Sequence, residues 1–230
     1  MKPDLLNTIR VADVVPPGAA GIAAVEHFTI TKKEAERENM LMSFRPGTGL
    51  DTVAPGRYAR LRIGGQVMMS DTPMERRSNW EVVREARGDV LVAGLGLGLI
   101  LYPMIVNPAV RSITVVEMFA DVIALVWPAV QRFHARTWPS ERRSAQTGRV
   151  TASPPRLDFI HADIFDWKPP AGAKWDVIYF DVWPTKSPDN LSQIARLHQR
   201  FKGRKRPGGW MDSWYAELLR ADRETERRRW

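Results

Sequence analysis

Val90-Leu91-Val92-Ala93-Gly94-Leu95-Gly96-Leu97-Gly98 is the stretch that decides the fold of this 230-residue chain. Four apolar residues after Asp89 have the length and composition of a buried strand, and three alternating glycines come directly after them. Positions without a Cβ let the backbone turn sharply. They also let a ligand approach the first turn of the helix expected over 99–106, whose free N–H groups favour an anion. Gly94, Leu95, Gly96 and Gly98 are therefore read as ligand-binding residues. A packing turn uses the same pattern, so the run needs its surroundings to decide between the two.

Downstream, residues 112–117 form a Val- and Ile-rich strand that ends on Glu117, near the spacing of about 20 residues at which an acidic residue takes ribose hydroxyls. A carboxylate suits a diol because it only accepts hydrogen bonds; its plainer role is to cap the next helix. Phe119, Val122, Ile123, Val126, Trp127 and Val130 recur at helical spacing, and Pro128 should bend or shorten that helix. Residues 157–161 and 175–181 are two more strands. A helix over 188–201 carries Leu191, Ile194, Leu197 and Phe201 on one side. Strands alternating with helices predict an α/β, Rossmann-like, mostly parallel sheet with helices on both faces and its ligand at the carboxyl ends of the strands. Asp163, just past the third strand, is placed to accept an adenine amine. Met118 and Ile164 are either apolar walls for the ring or plain core. Asp181 ends the fourth strand, where a carboxylate holds a cationic amine or acts as a general base, and Trp183 shields the site or stacks on an acceptor.

Upstream, Tyr58, Leu61, Ile63, Val67 and Met69 flank Gly64-Gly65, the pattern of a β-hairpin. Thr31 and Glu34 make a capping box for a helix over 32–42, between loops at Pro16-Pro17-Gly18 and Pro46-Gly47-Thr48-Gly49. Thr72-Pro73-Met74-Glu75 supplies an N-cap, a first-turn proline and a glutamate reaching back, with Gly88 as the stop, so one helix is expected over 73–87. The chain thus divides into an N-terminal extension with a helix and hairpin (1–72), a nucleotide-binding domain (73–211) and a basic C-terminal helix (212–230). Pro207-Gly208-Gly209-Trp210-Met211 turns into a fifth strand, with little chain after it. The sheet is therefore expected to be shortened at its C-terminal edge, where a helix, the N-terminal segment or a second subunit in a homo-oligomer would cover it.

The order Ile63 to Asp71, Val90 to Gly98, Thr114 to Glu117, Asp163, and Trp175 to Asp181 resembles the class I S-adenosylmethionine-dependent methyltransferases, and among them the spermidine synthase-like branch, over about residues 58–211. The resemblance implies S-adenosylmethionine, S-adenosylhomocysteine or the decarboxylated analogue as cofactor. Its amino-acid end would lie at 94–98, its ribose at Glu117, its adenine at Asp163, and a catalytic carboxylate would be Asp181. Leu97 and Pro184 stand where spermidine synthases carry acids. Methyl transfer to an unnamed acceptor is therefore expected ahead of aminopropyl transfer, with a non-catalytic nucleotide- or nucleic-acid-binding protein as the third reading.

Composition bounds the rest. The net charge is +8, and residues 196–230 hold 11 Lys/Arg against 5 Asp/Glu. A second basic stretch spans 132–149. Such clusters suit nucleic acid, an acidic partner, or simply a solvated face. The absence of cysteine excludes disulfides, thiolate metal sites and cysteine nucleophiles. The four histidines, at 27, 134, 161 and 198, lack zinc-pair spacing, so no metal site is expected. With no apolar run of about 18 residues and no basic-then-apolar start, a cytoplasmic protein without membrane contact is expected.

Overall fold

The computed structural model describes residues 9–43, 52–138 and 153–227. The loop expected at 46–49, the basic stretch beyond 138 and the last three residues of the terminal helix lie outside the described residues. After a 3-10 turn at Val11–Asp13 come β1 (Gly18–Ala20), β2 (Ala23–Ile30), α1 (Lys32–Ser43), β3 (Gly56–Ile63) and β4 (Gln66–Ser70). The capping box of α1 is formed: the Thr31 N–H donates to Glu34 at 2.7 Å and the Glu34 N–H to the Thr31 hydroxyl at 3.3 Å. The hairpin is also present, with φ of +56° and +83° at Gly64 and Gly65 as a tight two-residue turn requires.

That hairpin is half of a four-stranded antiparallel sheet in the order β1-β2-β3-β4, of which β1 and β2 have no counterpart among the expected elements. The strand β2 pairs with β3 from Ala23 opposite Ile63 to Ile30 opposite Gly56. Its inward residues begin with the small Ala23 and Val25, so alone it has little hydrophobic signal. Cross-strand partners supply the rest, including Glu26 and Arg60 in an ion pair at 2.7 Å. Buried Asp71, just past β4, then ties the sheet to the chain on either side of it. It accepts the N–H groups of Val11 (3.0 Å) and Ala59 (2.7 Å) and pairs with Arg76 (3.4 Å).

The helix expected over 73–87 is two helices, α2 (Pro73–Ser78) and α3 (Trp80–Glu85). Asn79 breaks it, because its side-chain amide donates to the Glu75 carbonyl (3.0 Å) that its own backbone N–H would take in a continuous helix. The other end of that amide accepts the Tyr179 hydroxyl at 3.0 Å. Thr72 makes no side-chain cap. Gly88 does not stop a helix either, since it opens the next strand at φ +58°.

The second half comprises β5 (Gly88–Ala93), α4 (Leu101–Val106), β6 (Val110–Glu117), α5 (Ala120–Thr137), β7 (Arg156–His161), β8 (Trp175–Phe180), α6 (Asn190–Phe201), β9 (Lys205–Ser213) and α7 (Ala216–Arg227). Its five strands are parallel, in the order β7-β6-β5-β8-β9, as a Rossmann-like sheet requires. Helix α5 does not stop at Pro128. Val122, Val126, Ala129 and Val130 are buried on both sides of the proline, and the carbonyl left without its donor belongs to exposed Ala124, where water can take it. Helices α4 and α5 share one core with Val90, Val92, Ile113 and Val115 of the sheet and with Val25 and Leu61 of the N-terminal sheet. On the other face, α6 presses Ile194, Leu197 and Phe201 onto Ile178 and Phe180. The connection from β7 to β8 holds no helix among its described residues. The sheet face there carries Ser112 and Thr114, whose hydroxyls bond to Asp89 and Trp175. Strand β9 is one edge of the sheet, opposite β7, and is followed by α7; no helix among the described residues is long and apolar enough to cross a membrane.

Candidate functional site

The sheet order puts β5 at a topological switch point, since the chain leaves it toward β6 and later returns to its other side at β8. A ligand crevice opens at the carboxyl ends there. The backbone shows the splay directly: Gly94 N–H donates to Val116 (2.8 Å) on one side, while Asp181 N–H donates to Ala93 (2.8 Å) on the other. A cavity of about 220 Å³ lies over this point. Gly94, Gly96, Glu117, Met118, Asp163, Ile164 and Asp181 all line it, together with Trp183. Leu95 and Gly98 do not. The Leu95 side chain is buried in the core, and a Cβ on Gly98 would press on Tyr102 and Val130 at 3.2 Å, so Gly98 serves helix packing.

Each side chain has a definite task in holding this shape. Glu117 is buried, and its two carboxylate oxygens accept the N–H of Leu95 (2.8 Å) and of Phe119 (2.8 Å). It thus braces the glycine loop while facing the cavity, and lone pairs remain for a diol. Phe119 immediately precedes α5, so the same carboxylate braces the entry to that helix and faces the cavity. Asp163 closes a turn by accepting the Phe165 N–H at 2.8 Å. That turn is held from outside by Arg200 of α6, which donates to the Ile164 carbonyl (2.7 Å) and to those of Phe165 and Trp167. Met118 is half exposed at the rim and Ile164 is buried behind it. Trp183 donates its indole N–H to Gln193 (2.7 Å), which fixes the ring as a wall.

Comparison with known proteins adds fold-level likeness only. No family model matches the chain, and no curated protein matches it in sequence. Among solved structures it is similar to the 4+2 cyclase SpnF, at 18% identity and a TM-score of 0.41, over 61% of this chain and 45% of that one. It is also similar to an S-adenosylmethionine-dependent methyltransferase from Clostridium acetobutylicum, at 17% identity and a TM-score of 0.34, over 60% and 48%. A third is an S-adenosylmethionine-dependent methyltransferase from Thiobacillus denitrificans in complex with S-adenosylhomocysteine, at 20% identity and a TM-score of 0.35, over 57% and 44%. The chain spans less than half the length of each of these structures.

Several site residues were not foreseen. Leu61, Ile63, Met68 and Met69 of the β3–β4 hairpin form the wall opposite the glycine loop, and a Cβ on Gly96 would sit 2.6 Å from the Met69 sulfur. The nearest neighbour of Gly96 is therefore the hairpin. Glu75, read from sequence as a capping residue, is instead buried at the start of α2 and accepts a bond from the Ser70 backbone. Burial pushes its carboxyl up to about 7. Asp181 is pushed up to about 8, first by burial and then by the negative charge of Glu75. It keeps some exposure at the cavity surface while lying deep among protein atoms. Glu75 lines a second cavity of about 410 Å³ that shares Met68, Met69 and Pro184 with the first. No sequence signal joins Glu75 to Asp181, because only the fold brings α2 and the end of β8 together.

Proposed function

We propose that the protein is an S-adenosylmethionine-dependent methyltransferase. The observation that carries this reading is that one cavity collects the glycine loop and the carboxylates of Glu117, Asp163 and Asp181 from the ends of four parallel strands. The donor set fits the co-substrate: Glu117 accepts from ribose hydroxyls, Asp163 from an adenine amine, and apolar Met118 and Ile164 flank a ring. When bound, S-adenosylmethionine supplies an activated methyl group on a sulfonium. The chain's part is to hold the acceptor in line and exclude water, and Asp181 orients the acceptor.

Isothermal calorimetry with S-adenosylmethionine and S-adenosylhomocysteine tests the reading. Glu117→Ala should weaken binding by about 1 to 3 kcal/mol, both by losing the ribose contact and by freeing the Leu95 N–H from its brace. Unchanged affinity in the variant would remove Glu117 from the site. Aminopropyl transfer is the second reading, favoured by the Glu75–Asp181 pair of carboxyls. Two observations count against it: Leu97 is fully buried, and Lys186 lines the second cavity. Incubation with putrescine and the decarboxylated co-substrate should therefore give no new polyamine, and robust spermidine formation would reverse the order of the two readings.

A further inference from the structure

We propose that the second cavity, walled by the β3–β4 hairpin, α2 and residues 184–186, binds the methyl acceptor, that the acceptor is a flat apolar molecule bearing a hydroxyl, and that Glu75 takes its proton. The proposal rests on the methyltransferase reading of the first cavity. The two cavities share Met68, Met69 and Pro184, so they adjoin, and an acceptor in the second can reach toward a methyl group in the first where those side chains meet.

The lining selects the class of acceptor. It combines three polarisable thioethers, Met68, Met69 and Met74, with the rings of Trp214 and Tyr215, whose centroids are 4.3 Å apart and of which Trp214 donates to the Ser78 hydroxyl at 3.1 Å. Thioethers and aromatic rings together suit the face of a flat apolar ring. At its mouth Val67 and Met74 remain 51% and 44% exposed, which leaves apolar surface for a ligand to cover. Tyr215 has a φ of +54°, the single positive value at a non-glycine among the described residues. Backbone held in that region is strained, and strain of this kind gathers at binding sites.

Charge then separates a hydroxyl from an amine. The Lys186 ammonium stands 5.9 Å from the Tyr215 ring, where it repels an ammonium and favours a developing oxyanion. Burial raises Glu75 to about 7 and Asp181 to about 8, so neither is a fixed anion for an acceptor cation to pair with, while the ionised fraction of Glu75 can still take a proton. In the transfer itself, an oxygen lone pair forms the O–CH3 bond as the S–CH3 bond breaks. The sulfur keeps the electron pair, S-adenosylhomocysteine leaves, and ionised Glu75 receives the hydroxyl proton.

Calorimetry with 2-naphthol as the neutral probe and 1-naphthylmethylamine as its cationic counterpart, each with and without S-adenosylhomocysteine, tests the proposal. Naphthol should bind and the amine should bind at least about tenfold more weakly. Met74→Glu, at a half-exposed position that tolerates a polar side chain, should abolish naphthol binding without disturbing that of S-adenosylhomocysteine. Glu75→Gln should keep naphthol binding and lose at least about 100-fold in methyl transfer to it. If S-adenosylhomocysteine binds and naphthol does not, or if the amine binds as tightly, the acceptor class is wrong. If naphthol binds and S-adenosylhomocysteine does not, the methyltransferase reading is what fails. A full-speed Glu75→Gln variant would remove that residue as the base.

Discussion

Gly94→Ala is expected to destabilise the protein by about 3 to 5 kcal/mol, the sum of a side chain in the left-handed region and an overpacked contact. Gly94 has a φ of +95°, and a Cβ there would lie 2.0 Å from the Asp181 carbonyl oxygen. Backbone at the end of β8 cannot yield as a side-chain tip can. The two strand ends would have to part at the place where Asp181 N–H bonds to Ala93, so the site and the fold should fail together. Gly96 provides the contrast. Its added Cβ would meet the Met69 sulfur, the far end of a flexible side chain, and Met69 lines both cavities. Gly96 is also left-handed, at φ +49°, so Gly96→Ala should cost about 1 to 2 kcal/mol of backbone strain, less than Gly94→Ala, and lose ligand affinity. Urea denaturation and calorimetry on both variants check this. A Gly94→Ala protein as stable as wild type would show that the β5 and β8 ends are not packed as described.

The two glycines also mark how far the sequence was legible. The strand β5, the glycine turn and β6 were readable because buried parallel strands are continuous apolar runs and because a glycine run directly after one, with an acidic strand end about 20 residues on, favours a ligand loop over a packing turn. Glu117, Asp163 and Asp181 could then be picked out, since each stands at or just past the carboxyl end of a strand that its own apolar run made readable. Three kinds of feature were not readable. The strand β2 draws its stability from pairing along β3, a contact that no local pattern reports. The break at Asn79 depends on the Tyr179 hydroxyl, which waits on another strand to hold the asparagine amide in place. Glu75 sits where a helix cap belongs, and its burial comes from elements far away in the chain. The proline expected to shorten α5 shows the reverse, a local rule overridden by the apolar stripe on both sides of it.

The same carboxyl groups lead to an expected pH dependence of stability. Asp181 titrates near 3.8 when unburied and is pushed up to about 8 in the folded protein, by burial and then by Glu75; Glu75 moves from 4.5 to about 7, chiefly by burial. Between those values the folded protein holds protons that the unfolded chain has released. Stability from these two groups is therefore highest below about pH 4 and falls as pH rises toward 8, by at most about 1.4 kcal/mol per pH unit for each group. Asp89 works in the opposite sense, because Arg111, Ser112 and Arg206 hold its carboxyl below the usual value, so wild type alone does not isolate the effect. The difference between variants does. Asp181→Asn should gain stability over wild type progressively from pH 4 to pH 8, up to about 5 kcal/mol, while methyl transfer collapses. A carboxyl that destabilises the fold but cannot be removed without loss of turnover is what a group orienting the acceptor in an enclosed site should be. Parallel urea midpoints for Asp181→Asn and wild type across that range would show that the carboxyl is not enclosed, and would withdraw it as the group that orients the acceptor.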